Sequence, residues 1–165
     1  VSLGGKEFEI LKFRSMIVDA EKAGHAIPAT DKDPRITKVG NFLRKTKLDE
    51  IPQLGQVFLG KMSLVGPRPE LLQYVNQYEE ENRDILKVRP GITDYSSVEF
   101  INLDEIVGDS NADEMYEKLV LGKKNSLRVK YAHTVSFKTD AYILLKTVAA
   151  VLDKMFGFIV KKEHR

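Results

Sequence analysis

No helix can run through Gly66-Pro67-Arg68-Pro69. A residue before proline is held out of the right-handed helical region, so Gly66 and Arg68 are confined to extended or turn backbone. The short apolar run Met62-Ser63-Leu64-Val65 therefore ends in a rigid turn, and a second such turn follows at Arg89-Pro90-Gly91-Ile92-Thr93. Punctuation of this kind favours short elements. It points to an α+β fold, mostly short α-helices with a small β-hairpin, in one compact domain over residues 1–165, rather than a doubly wound sheet. An Arg held rigidly between two prolines also suits bidentate recognition of a phosphate. The plainer reading is that Pro67 and Pro69 only punctuate a loop.

The other elements follow from periodicity and caps. Gly4-Gly5 is a turn, and Phe8 to Met16 is rich in strand formers, which predicts a hairpin whose second arm carries Lys12 and Arg14 on one face. Asp19 to Lys32 reads as loop, with a helical turn at 20–23. Thr37 is an N-cap, and Ile36, Val39, Phe42 and Leu43 mark a helix stripe. Ile51, Leu54 and Phe58 mark another, starting at Asp49 or Glu50, tolerating Pro52 in its first turn and stopping at Gly60. Glu70 to Asn82 reads as a helix burying Leu71, Leu72, Val75 and Tyr78, with Glu79, Glu80 and Glu81 as a solvated face; a second short helix covers 83–88. Tyr95 to Phe100 reads as a strand, and a helix is expected around Asp113–Leu121. A last helix, from Lys138 to Ile159, carries a wide apolar stripe including Leu144, Leu145, Val148 and Leu152. It is read as a packing helix, with an interfacial membrane helix flanked by Lys161, Lys162 and Arg165 as the sharper alternative.

Charge is uneven along the chain. The net charge is +2, but between Arg35 and Arg68 the basic residues are opposed only by Asp49 and Glu50, whereas Glu99 to Glu117 is acidic. The chain has no cysteine, which removes disulfides and thiolate chemistry. No Walker loop, zinc cluster or dinucleotide fingerprint occurs, and His25, His133 and His164 lack metal spacing. What remains is the Asp49-Glu50 pair at a helix start, where the macrodipole favours negative charge. Such a pair is commonly just a capping arrangement. Two carboxylates about 5 Å apart repel by about 3 kcal/mol at an effective dielectric of ~20, roughly two pKa units. Either one is protonated near neutral pH or a cation lies between them. With a cationic neighbourhood, an ionised carboxylate can hold Mg²⁺ and attack a phosphoryl centre.

Five motifs occur in a recognisable order: Lys12-Phe13-Arg14-Ser15-Met16, Asp33-Pro34-Arg35-Ile36-Thr37-Lys38-Val39-Gly40, Leu48-Asp49-Glu50-Ile51-Pro52-Gln53-Leu54, Met62 to Pro69, and Arg89 to Thr93. Together they resemble the bacterial sugar transferases, the monotopic polyprenyl-phosphate phosphoglycosyl transferases. The resemblance implies transfer of sugar-1-phosphate from a UDP-sugar to polyprenyl (undecaprenyl) phosphate, as the first membrane step of glycan assembly. By resemblance Asp49 is the nucleophile, forming an aspartyl-phosphosugar and releasing UMP, and Glu50 assists the second half or completes an Mg²⁺ site with Asp49. Lys12, Arg14, Arg44, Arg68 and Arg89 are implied as phosphate ligands. The implied location is the cytoplasmic face of the bacterial inner membrane. The family's apolar re-entrant helix before Gly5-Lys6 is not in this sequence, so this chain is expected to be soluble or peripheral. Asp94-Tyr95 stands where many relatives carry Gly-Trp. The alternative function is a non-catalytic anion- or nucleic-acid-binding module using the Arg35–Arg68 segment; the segment lacks interleaved aromatics, so nucleic acid is not expected.

Overall fold

The computed structural model describes residues 1–20, 33–101 and 116–163, with 155–163 described as backbone only. The turn expected at 20–23, most of the acidic segment, His25, His164 and Arg165 lie outside this description or at its margin. Six α-helices are described: α1 (Lys38–Lys45), α2 (Gln53–Phe58), α3 (Leu72–Val75), α4 (Tyr95–Glu99), α5 (Gly122–His133) and α6 (Phe137–Glu163). Two strands join them, β1 (Ser63–Val65) and β2 (Gly91–Thr93), with 3₁₀ turns at Leu48–Glu50 and Glu80–Lys87. The fold is α+β, as the punctuation requires.

The expected hairpin is replaced by a parallel pair. β1 and β2 pair with Ser63 opposite Gly91 and Val65 opposite Thr93. Both strands run into the site beside a proline turn, and the backbones approach so closely that a β-carbon on Gly66 or Gly91 would collide with the other's main chain. The Phe8–Met16 arm makes no ladder; within it, Met16 forms an isolated antiparallel bridge to Ile36. The arm is held instead by its neighbours. Ser15 O accepts from Thr37 N (3.1 Å), Asp49 O accepts from Phe13 N (2.9 Å), and a β-carbon on Gly40 would strike Ser15.

Three further expectations change. Tyr95–Glu99 is helical because the Asp94 carboxylate caps it, accepting from Ser97 N at 2.7 Å, which overrides the strand propensity of its residues. The helix expected over Glu70–Asn82 is only α3: Leu71 and Glu79 are extended, and Tyr74 and Tyr78 are buried while Leu71 and Leu72 are not. The stripes of α1 and α2 face outward. Val39, Phe42, Ile51, Leu54 and Phe58 are all exposed, Phe58 at 92%. What α2 buries is Gln53 and Gln56, and the Gln56 amide holds the N-terminal arm, accepting from Leu11 N (2.9 Å) and donating to Glu9 O (2.7 Å). Burial of Gln56 is tolerated because its amide is hydrogen-bonded through both its oxygen and its nitrogen, whereas Gln53 Nε2 has no partner among the described residues.

The apolar core lies under α5 and α6. Val65, Tyr131 and Ile143 form one cluster, and Tyr74, Tyr116 and Val120 a second. α6 buries Ile143 while Leu145, Val148 and Leu152 stay exposed, so only part of its wide stripe packs. Among the described residues no helix is long and apolar enough to cross a membrane.

Candidate active site

The site is built on the reversal after α1. Thr37 caps that helix by accepting from Gly40 N at 2.9 Å, and the chain turns back through Lys47, which has left-handed backbone at φ 58°. A non-glycine residue there stores strain of order 1 kcal/mol or more, and such residues cluster at functional sites. The turn at Leu48–Glu50 then buries both carboxylates, Asp49 at 6% exposure and Glu50 at 9%.

The two carboxylates have different surroundings. Arg68 donates to Glu50 through both terminal nitrogens, Nη2 to Oε1 at 2.6 Å and Nη1 to Oε2 at 2.8 Å, and Lys12 Nζ reaches Oε1 at 3.2 Å. Arg68 is itself held by Nη1 donating to Ile92 O at 2.8 Å, so hydrogen bonds to Glu50 and this carbonyl fix its guanidinium. Burial pushes the Glu50 carboxyl up, but the Arg68 hydrogen bonds and charge, with Lys12 and Lys47, overcome this and bring it down to about 2. Asp49 goes the other way. Burial first, then the Glu50 charge, hold it above the ordinary carboxylate range, against the pull of Lys12, Lys47 and Arg44. Its Oδ1 is buried and has no hydrogen-bond partner among the described residues. The repulsion expected between the pair is thus resolved by clasping one member and leaving the other unengaged at that oxygen.

Both face a cavity of about 620 Å³, within the range of small-ligand sites. Lys12, Arg44, Lys47 and Arg68 line it beside the carboxylates, giving that end a cationic wall. Arg14 and Arg89 are exposed and are not among its lining residues. The structure therefore gathers five of the expected site residues and leaves two outside. Among the described residues no group of three or more His, Cys, Asp or Glu could hold a metal unaided. Asp49 Oδ1 suits an ion that draws its other ligands from a bound phosphate and water, as Mg²⁺ does; both Glu50 oxygens are already taken by Arg68.

The other end of the cavity was not legible in the motifs. Arg128, on α5 and 1% exposed, donates to Glu70 Oε2 at 2.8 Å, and its Nε lies 3.8 Å from Asp94 Oδ2. Tyr116 donates its hydroxyl to Glu70 Oε2 at 3.1 Å and accepts from Lys124 Nζ at 2.9 Å. Asp94 is fully buried behind the cavity, where it also accepts from the hydroxyls of Ser96 and Ser97 at 2.8 and 2.7 Å.

A family model described as bacterial sugar transferase matches residues 1–154. A UDP-glucose:undecaprenyl-phosphate glucose-1-phosphate transferase of Xanthomonas campestris pv. campestris is 44% identical over 159 residues, covering 94% of this chain and 31% of the relative. A UDP-galactose-lipid carrier transferase of Erwinia amylovora is 34% identical over 168 residues, 93% of this chain and 32% of the relative. An uncharacterized sugar transferase of Haemophilus influenzae is 36% identical, again covering 93% of this chain and 32% of the relative. The chain thus spans about a third of the length of these relatives.

Proposed function

This chain belongs to the bacterial sugar transferase family, and from that premise we propose that it moves a sugar-1-phosphate from a UDP-sugar to a polyprenyl phosphate through Asp49. The observation that carries the reading is the buried, unpartnered Asp49 Oδ1 next to a Glu50 already neutralised by Arg68, in a cavity with a cationic wall. A carboxylate without hydrogen-bond partners is less stabilised and more available as a nucleophile.

In the first half-reaction an Asp49 oxygen attacks the sugar-proximal phosphorus. The new bond is an aspartyl-phosphosugar, and the bond broken is the bridging P–O, whose electrons leave with UMP. In the second half an oxygen of the lipid phosphate attacks the same phosphorus, and Asp49 leaves as a carboxylate. Lys12, Lys47 and Arg44 stabilise charge on the non-bridging oxygens. Glu50 positions Arg68, and with its carboxyl at about 2 it is poorly suited to take up a proton. Asp49, with the donor phosphates, would hold Mg²⁺, which when bound would supply charge neutralisation at the phosphoryl oxygens. Ile51 and Leu54 line the cavity and are half exposed, and Phe58 lies on the same helix stripe; this apolar lip supports a lipid acceptor presented at a membrane surface. Arg35 is committed to Asp33 (Nη2 to Oδ2, 2.6 Å) and Arg68 turns inward to Glu50, which withdraws two of the segment's seven basic residues from an outside polyanion.

The test is UMP release from a panel of UDP-sugars with Mg²⁺ and no acceptor. The reading predicts a burst of one UMP per chain that EDTA abolishes. No release from any UDP-sugar, with the protein folded, would contradict it.

A further inference from the structure

Resting on that reading, we infer that the Glu70–Tyr116–Lys124 end of the cavity is the subsite for the sugar ring of the donor, and that Tyr116 and Lys124 determine which sugar is accepted. The two ends of one cavity differ in chemistry. The dyad end offers cations to phosphates. At the far end the carboxylate of Glu70 lines the same space together with Arg128 and Lys124, so an acceptor stands among donors and the local charge is offset. What suits this end is a neutral ring rich in hydroxyls.

The polar groups form a connected set of acceptors and donors. Arg128 and the Tyr116 hydroxyl both donate to Glu70 Oε2, at 2.8 and 3.1 Å, which fixes the carboxylate. Burial pushes Glu70 up, but the charges of Arg128 and Lys124 hold it below its ordinary value, so it stays an acceptor. Burial, with the Glu70 charge, raises the Tyr116 phenol, so it keeps its proton. Lys124 Nζ sits 2.9 Å from that hydroxyl and 4.9 Å from the ring centroid, a half-buried donor at the cavity wall. Tyr74 and Phe100 pack with Tyr116, their rings giving an apolar surface on which the C–H face of a pyranose can rest. Uracil offers one N–H and two carbonyls that only accept, whereas a hexose offers several hydroxyls, each able both to donate to a carboxylate and to accept from an ammonium. A site built to hydrogen-bond a hydroxyl discriminates strongly against a donor that lacks it or places it elsewhere.

The experiment uses Lys124→Gln and Tyr116→Phe in the full chain; Glu70 is left intact because it balances the buried Arg128. Binding of UDP-glucose, UDP-galactose, UDP-N-acetylglucosamine and UMP is titrated calorimetrically, alongside UMP release. The inference predicts that each variant changes the ratio of affinities, and of kcat/KM, between two of these sugars by about 10-fold or more, while UMP affinity moves less than about 2-fold. Unchanged sugar ratios in both variants overturn it. So does a fall in UMP affinity parallel to that of every donor, which would make this the uracil subsite. Donor binding without UMP release strikes instead at the proposed reaction and leaves the subsite to be judged on the binding ratios. A parent chain that binds none of the donors overturns both.

Discussion

At each end of the cavity an arginine clasps a glutamate: Arg68 holds Glu50 through two nitrogens at 2.6 and 2.8 Å, and Arg128 holds Glu70 at 2.8 Å. The arginines are used differently. Arg128 serves a second buried carboxylate, Asp94, which is also satisfied by Ser96, Ser97 and the main chain of α4. Arg68 gives its terminal nitrogens to Glu50 and the Ile92 carbonyl, and the neighbouring Asp49 keeps a buried oxygen with no hydrogen bond among the described residues. Burying a charge without partners is costly, and proteins keep such groups where they are used. Among the described residues each end holds a buried atom without a hydrogen bond, but Arg128 Nε lies 3.8 Å from Asp94 Oδ2 within a scaffold of opposed charges, whereas Asp49 Oδ1 sits beside a carboxylate already clasped by Arg68.

The sharpest way to break this contrast is to remove the unpaired group. Asp49→Asn keeps the shape and loses the nucleophile, so UMP release should fall on the order of 10⁴-fold with folding intact. Release at the parent rate would place the chemistry elsewhere. At the scaffold end the effect should be on stability instead. Arg128→Met leaves Glu70 and Asp94 buried without their cation and should cost about 4 kcal/mol in urea unfolding.

Glu50 lies between these cases. Its carboxyl falls from an ordinary 4.5 to about 2 in the fold, so its contribution, at most about 3 kcal/mol, is fully present above pH 4.5 and is lost as pH falls through about 2. The unfolded chain binds the extra proton in that window, so stability rises with pH there. The stability gap between the parent and Glu50→Gln should be flat above pH about 4.5 and close toward pH 2; a gap independent of pH would show that the Arg68 clasp is not what depresses Glu50. The smallest effect concerns the turn that presents the dyad. Thr37→Ala removes the α1 cap and should cost about 1 kcal/mol, read by thermal unfolding, with little change in donor selectivity.

The contrast also explains what the sequence made legible. Asp49, Glu50, Lys12 and Arg68 lie in the short motifs that carry the family resemblance, without which the Asp49-Glu50 pair reads as a helix cap, and Thr37 is a cap defined by neighbours three residues away. Glu70, Tyr116, Lys124 and Arg128 announce nothing locally, because Arg128 and Glu70 are 58 residues apart and meet only when α5 packs. Periodicity identified the stripes of α1 and α2 but carries no information on which way a stripe faces. Here they face out, and the buried side of α2 carries Gln53 and Gln56, of which Gln56 ties down the N-terminal arm. The parallel pairing of β1 and β2 was hidden for a similar reason. Each strand is three residues long, and the close approach of Gly66 and Gly91, rather than any local turn, brings them together.

The central claim is that Asp49 and Glu50, adjacent in sequence, have separate tasks, with only Asp49 bonding to phosphorus. Intact-mass and peptide mass spectrometry after mixing the chain with a UDP-sugar and Mg²⁺, without acceptor, tests it most directly. The account predicts a single sugar-phosphate adduct per chain, located on Asp49, absent from Asp49→Asn and still formed, more slowly, in Glu50→Gln. An adduct located on Glu50, or sustained UMP release with no adduct on either residue, would contradict it.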